Sequence, residues 1–536
     1  MVVIETWNLW WVCSLIFTYI AIEVAELFTR SATGVVFELL KSRCSLFSGI
    51  LSKEREHRMK SSKFMPIMVA LMALSFISGC SKEQASQTTG VETNKTTNAS
   101  AVELTDEQID NIVRRTYQYV AMYNANNKFA LALGGWNTCV PDTRLKDHTM
   151  REIARPNNDT LYISCMLDLR KDPVILDIPE FDSKYVSLMV TAYDHYVNVP
   201  LSVTKGDFGK PVKVLFYTAR TERFDSGKVE GVDSNFEMTG DFVSAVFRVM
   251  PHVSDKSRFD KIIEQMESVK AMTLSELHGK PAKPIDDVEF PPVGKTDLDV
   301  YENNFLEVMQ FVVNHTSFDP DNEVDVGFLA AMKQLDVEPG KTLDMNKVAN
   351  IDGKRFRAMA DKIRKEEFAR AMDPAVTAKY GSSMFQPKGK ISQDLLLMQS
   401  VLGPIGLPAS EAVYPPVTTK DGQPMNAQHD YVIRMTKDEL PPAQAFWSLT
   451  LYDSANGFFI PNERKKYSVG ENAGMSLNAD GGIEIFVAAE KPAGVLEENW
   501  LPISRKDENL DVILRIYVPD IEKYKNWSPP KAEMLK

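Results

Sequence analysis

Side chains able to do chemistry fall in two stretches. Residues 155–162 read Arg-Pro-Asn-Asn-Asp-Thr-Leu-Tyr, which gathers Arg155, Asn158, Asp159 and Tyr162, with Asp194 a strand further on. Residues 446–453 supply Tyr452 and Asp453, and Asn462, Asn499 and Arg515 follow. Asp159, Asp194 and Asp453 are the acid–base candidates. Hydrolysis by carboxylates needs one acid kept protonated by burial and a partner kept ionised in a polar setting. Arg155 or Arg515 suits an anion, and the Asn and Tyr side chains suit orientation of a substrate. A plainer reading stands beside each of these. Pro156 and two Asn favour a turn that enters a strand, and Asp159 can simply bridge to Arg155. Trp447, Trp500 and Trp527 can stack on sugar rings or fill a core.

The common catalytic and cofactor motifs are absent from the sequence: no GxGxxG after a strand, no phosphate-binding GxxxxGK, no HExxH, no GxSxG and no CxxC. His148, His195, His252, His278, His315 and His429 include no pair at helical ligand spacing, so no metal site is assigned and the cofactor is unknown.

These residues need elements to position them. Thr105 to Gln108 form a capping box, and Ile109, Ile112, Val113, Thr116 and Val120 continue at helical spacing to about residue 123. Short β-rich runs follow at 173–178, 185–192, 212–217 and 242–250. Helical spacing returns at 258–272, 300–314, 322–335 and 354–371, then strands at 446–452, 483–488 and 510–518. Strands in runs and helices in runs predict the α+β class, with two β-rich, sandwich-like domains and a helical middle. In the 446–452 strand, Trp447, Leu449 and Leu451 should share one face and Phe446, Ser448, Thr450 and Tyr452 the other.

The chain has 536 residues and a formal charge of −12, which argues against nucleic acid as the main partner. Its N-terminal part holds a secretion signal: basic residues after Met59, an apolar run from Phe64 to Ile77, then Ser78, Gly79 and Cys80. Phe76 to Cys80 resembles the lipobox of bacterial lipoproteins, which implies a diacylglycerol on Cys80. Ser81 after it resembles outer-membrane rather than inner-membrane sorting. The polar stretch that follows reads as a flexible tether. Residues 1–58 are either an upstream mis-start or an extra membrane-associated segment. The expected order is therefore 1–58, signal 59–79, tether 80–103, β-rich domain 104–255, helical region 256–400 and β-rich domain 401–536. Cys139 and Cys165, the two Cys beyond Cys80, can pair in an oxidising compartment or stay buried and reduced.

The 155–162 stretch, with Asp194 to Asn198 after it, resembles the bacterial DUF1254 domain; His195 to Asn198 stand where that family often has Tyr-Thr-Asn. The series AFWSLTLYD (445–453), Pro461-Asn462, Tyr467-Ser468, NADG (478–481), NWLP (499–502) and LRIYVP (514–519) resembles the DUF1214 domain. Residues 406–409, Ala412 to Tyr414 and 421–424 match that domain's usual approach. The resemblance implies two β-sandwich-like domains with helices between and around them, and no agreed catalytic residues. Two functions are expected. The first is a lipid-anchored envelope protein, on the periplasmic side of the outer membrane, that binds a small molecule or envelope partner between its domains. The other is a periplasmic hydrolase of a small molecule or glycan. The oligomeric state is left open.

Overall fold

The computed structural model describes residues 103–151, 155–285, 288–344, 351–371, 373–403 and 406–536, all within one compact unit. The 1–58 segment, the 59–79 signal, Cys80 and all but the last residue of the tether lie outside the described residues. Among the described residues, no helix is long and apolar enough to cross a membrane.

The N-terminal β-rich domain is a sandwich of two sheets. Strands β1 (Thr138–Asp142), β2 (Leu161–Asp168), β4 (Val186–Thr191), β5 (Val199–Ser202) and β8 (Phe242–Val249) form an antiparallel sheet in the order β1-β2-β8-β4-β5. Strands β3 (Val174–Ile178), β6 (Val212–Tyr217), β7 (Ser234–Glu237) and β9 (Lys270–Thr273) form the other, in the order β7-β6-β3-β9. Alternation decides what is buried where. Leu161, Ile163, Cys165 and Leu167 of β2 join Val174, Leu176, Val214 and Phe216 in the core between the sheets. Tyr162 therefore projects to the opposite face. Helical spacing suggested a helix through residue 272, but it ends at Ser268, and Lys270–Thr273 pairs with β3 as an edge strand. Val269 and Met272 suit either period, and the free edge of β3 decided the outcome. Cys139 and Cys165 face each other across β1 and β2 and form a disulfide.

The C-terminal domain repeats the plan. Strands β10 (Ala412–Val413), β11 (Pro416–Val417), β12 (Met425–Asn426), β14 (Ala443–Asp453), β15 (Ser468–Gly470) and β18 (Asn509–Pro519) form one sheet with β18 and β14 at its centre. Strands β13 (Tyr431–Met435), β16 (Ile483–Ala488), β17 (Trp500–Pro502) and β19 (Ala532–Met534) form the second. Trp447, Leu449 and Leu451 enter the core with Leu510, Val512, Leu514 and Ile516, as the alternation predicts. Ser448 pairs with Arg515, Phe446 with Tyr517 and Tyr452 with Asp511 on the outer face.

That outer face meets the outer face of the N-terminal sheet. Tyr185, Met189 and Met250 from one domain pack with Ala412, Ala445, Phe446 and Tyr517 from the other. The Phe446 and Tyr517 rings stack 4.1 Å apart, with Tyr185 at 5.2 Å from Tyr517.

Helices cover the flank. The first helix carries the expected capping box at Thr105 and runs Asp106–Leu133, ten residues past the sequence-based end. Its Ile112, Tyr119 and Tyr123 share a core with the helices Phe305–Asn314, Glu323–Lys333 and Gly353–Ala371. This helix therefore packs with the helical region rather than inside the sandwich that follows it. A further helix, Gln393–Leu402, lies in a stretch where the sequence reading placed none.

Candidate functional site

Several predicted residues meet in the seam between the two sheets. The 155–162 loop crosses the outer face of β14 and β18. Pro156 and Asn157 end the approach to β2, and Asn157 Oδ1 accepts the Asp159 amide at 2.7 Å, which turns the loop. Asp159 is 1% exposed and accepts a 2.5 Å hydrogen bond from the Ser448 hydroxyl of β14. Gly470 lies opposite Ser448 in the sheet, where a side chain would strike the Ser448 Cβ at 2.7 Å. Burial pushes the Asp159 carboxyl up, while Arg515, Ser448 and Tyr517 oppose the rise.

Arg515, 5% exposed, donates through Nη2 to the Tyr452 hydroxyl at 2.7 Å and to the Arg155 carbonyl at 3.2 Å. Tyr452 donates in turn to the Pro156 carbonyl at 2.6 Å. The Arg155 backbone sits in the left-handed region, φ 53°, fixed by Arg515 on its carbonyl and by its amide on the Gly457 carbonyl at 2.6 Å. Its side chain pairs with Asp511, so the expected Arg155–Asp159 bridge is not the one formed. Beside Tyr517, Val518 adopts φ 51°, unusual for a β-branched residue, opposite a two-residue bulge in β14. Backbone held in such regions tends to gather at functional sites.

The sequence reading missed Arg248. It lies at the C-terminal end of β8, paired with Tyr162 and Ser187 on the seam face. It is 5% exposed and its side chain makes no hydrogen bond to any described residue; the Tyr162 ring lies 5.7 Å from the guanidinium. Its signal in the sequence was an Arg at an alternate position of the otherwise uncharged run Phe242–Val249. Tyr414 was missed as a site residue too. Its hydroxyl is buried beside both Arg248 and Arg515, although the residue as a whole is 46% exposed. Burial raises the pKa of Tyr185, Tyr414 and Tyr517, so at neutral pH they offer dipoles rather than charge.

The remaining candidates lie elsewhere. Asp453 caps its own turn by accepting the amides of Asn456 at 2.6 Å and Phe458 at 3.1 Å. Asn462 clasps Lys466 through the amide and carbonyl, and Asn499 does the same to Ser476. All three engage loop backbone: Asp453 and Asn462 within their own turns, as a short Asn or Asp readily does, and Asn499 across to a second loop. Asn158 does belong to the seam, with its Oδ1 buried and without a partner. A half-open cleft of about 690 Å³ runs beside the seam, lined in part by Arg151, Asp453, Ser454 and Asn509.

Asp194 sits apart from Asp159. It follows the far end of β4 and is buried with Asp325 and Lys388 among Tyr119 and Tyr196. Lys388 Nζ pairs with Asp325 at 2.5 Å and donates to the Ser317 carbonyl at 3.0 Å. Burial pushes the Asp194 carboxyl up to about 6, against the pull of Lys388. The three aspartates proposed for acid–base work thus occupy three separate settings. Among the described residues, no group of three or more His, Cys, Asp or Glu is placed to hold a metal ion.

Fold and site define a two-sandwich protein with a charged, aromatic seam, and comparison places it further. Residues 136–269 match the family described as a protein of unknown function (DUF1254), and residues 411–521 match the one described as a protein of unknown function (DUF1214). The two matches lie in that order along the chain. The VPA0106 protein from Vibrio parahaemolyticus has a similar fold: 21% identity, TM-score 0.60, with 80% of this chain and 100% of that one covered. A putative uncharacterized protein from Burkholderia cenocepacia aligns at 12% identity and TM-score 0.38, over 80% of this chain and 94% of its own. No curated protein matches.

Proposed function

We propose that the protein binds a small molecule in the seam between its two β-rich domains, as a lipid-anchored protein of the bacterial envelope. One observation carries the binding reading: Arg248, Arg515 and Asn158 each hold a buried polar atom without a hydrogen-bond partner, on both sides of one seam. Most buried polar groups in proteins are satisfied, because leaving one unmade costs about 1–3 kcal/mol. Unmet groups from two domains on one seam suit a ligand that meets them. Junctions between domains with aromatic walls and a few polar groups are favoured ligand sites. The hydrolase reading has less support, since Asp159, Asp194 and Asp453 do not face one another.

The test is native mass spectrometry of the full chain purified from cells, followed by amide-exchange mapping with the released compound added back. The expected result is a retained compound that protects residues 155–162 and β18. Protection confined to other surfaces would remove the seam reading.

The anchor rests on the lipobox at Cys80. The Cys139–Cys165 disulfide supports an oxidising compartment. Mass spectrometry of the mature N-terminus should find a lipidated Cys80, and Cys80→Ala should release the protein from membranes. A mature chain that keeps residues 1–58 would contradict this.

A further inference from the structure

We infer that the seam ligand carries one carboxylate group, held between the guanidiniums of Arg248 and Arg515, with a small apolar or aromatic body against Tyr162 and Tyr414. This rests on the seam reading above and adds the class of ligand to it.

The charge balance of the seam comes first. Arg248 and Arg515 are both buried, and an arginine keeps its proton in a protein. The carboxylate beside Arg515 is Asp159. Asp511 is engaged by Arg155, and the nearby Glu411 is bridged to Lys205 at 2.8 Å. The tyrosines around Arg248 include Tyr185, Tyr414 and Tyr517, held protonated by burial, so they supply no counter-charge. One positive charge is left in excess, and one negative charge balances it. A phosphate dianion would overshoot.

Donor geometry narrows the class further. The Arg248 guanidinium makes no hydrogen bond to a described residue, and its Nη1 is fully enclosed. Arg515 spends Nη2 on Tyr452 and the Arg155 carbonyl but leaves Nη1 buried and unmet. Planar forks of this kind match a planar carboxylate. Opposing residues exclude a large occupant, because the Tyr185, Phe446 and Tyr517 rings already fill the adjoining part of the seam. The Tyr414 hydroxyl, buried beside both guanidiniums, lines the place such a group would occupy.

The experiment is isothermal titration of the full chain with benzoate, octanoate, benzamide and inorganic phosphate. Benzoate or octanoate should bind, with benzamide and phosphate at least ten-fold weaker. Arg248→Met should weaken the carboxylate at least ten-fold while its thermal unfolding stays as cooperative as that of wild type. Arg248→Lys, which keeps the charge without the fork, should fall between the two and serves if the Met variant fails to fold. Equal binding of benzamide and benzoate, tighter binding of phosphate, no binding of either carboxylate, or unchanged binding by both variants would overturn the inference. A neutral compound retained at the seam in the native spectrum overturns the carboxylate alone. Absence of protection at the seam overturns the underlying reading as well.

Discussion

Two buried charge clusters in this molecule have similar ingredients and opposite designs. At the seam, two buried arginines lie with one ionisable carboxyl, Asp159. On the helical flank, two carboxyls, Asp194 and Asp325, share one lysine, Lys388, and both are fully enclosed. Lys388 makes an ion pair and a hydrogen bond, whereas Arg248 makes neither. Burial of charge alone therefore does not separate the two clusters. The difference is a guanidinium left without a counter-ion at the boundary between two domains, which is what the proposed ligand would supply.

Removing the cation from each cluster should separate them most clearly. Lys388→Met leaves two carboxyls without their counter-ion and should lose about 3–5 kcal/mol in denaturant unfolding. Arg248→Met removes a charge that has no partner, and the ligand-free protein should stay within about 1 kcal/mol of wild type or gain stability. Equal losses would make Arg248 structural and end the contrast.

A second substitution calibrates the scaffold behind the seam. Leu449 neighbours Ser448 on β14 but points into the sandwich core, fully buried. Leu449→Ala should cost about 2–5 kcal/mol. A loss under about 1 kcal/mol would mean the outer face is not held by a rigid strand.

The helical cluster should also report its charge through pH. Asp194 is raised to about 6 in the folded protein, above its ordinary value, so the folded state holds the proton more tightly than the unfolded one. Stability from this group is present at acid pH and lost as pH rises towards about 6. The advantage of Asp194→Asn over wild type should grow by about 2–3 kcal/mol between pH 4 and pH 7. A difference that stays flat across that range would show an ordinary carboxyl.

The smallest contrast is between two tyrosines. Tyr452→Phe deletes a hydroxyl that serves Arg515 and the Pro156 carbonyl, and should cost about 1.5–3 kcal/mol, as hydrogen bonds to charged groups do. Tyr196→Phe deletes a buried hydroxyl with no partner and should change stability by less than about 0.5 kcal/mol. Thermal unfolding of both variants measures the difference.

Much of this was legible in the sequence, and for definite reasons. The capping box at Thr105, the alternation in β14 and the two β-rich blocks are local patterns, in which side-chain period and backbone geometry coincide. Local pattern also picked out Asp159, Tyr452 and Arg515, since each stands in a dense polar or aromatic motif. The same density picked out Asp453 and Asn462, whose partners are neighbouring amides, and Asn499, which holds Ser476 of another loop. The sequence groups Asp194 with Asp159 because both fall near strand ends of the N-terminal domain, yet β4 carries it to the far end of the sheet.

Sequence by itself determined the periods: which residues of β2, β8, β14 and β18 go inward and which go outward. Tertiary structure alone decided what the outward residues meet. Arg248 looks like one charge in an apolar strand until the C-terminal sheet covers it, and Arg515 gains its carboxylate only from a loop some 350 residues away. An outward face is solvated or buried according to whether another domain lies on it. Only that contact turns an exposed guanidinium, cheap in water, into an unmatched charge that favours an anion.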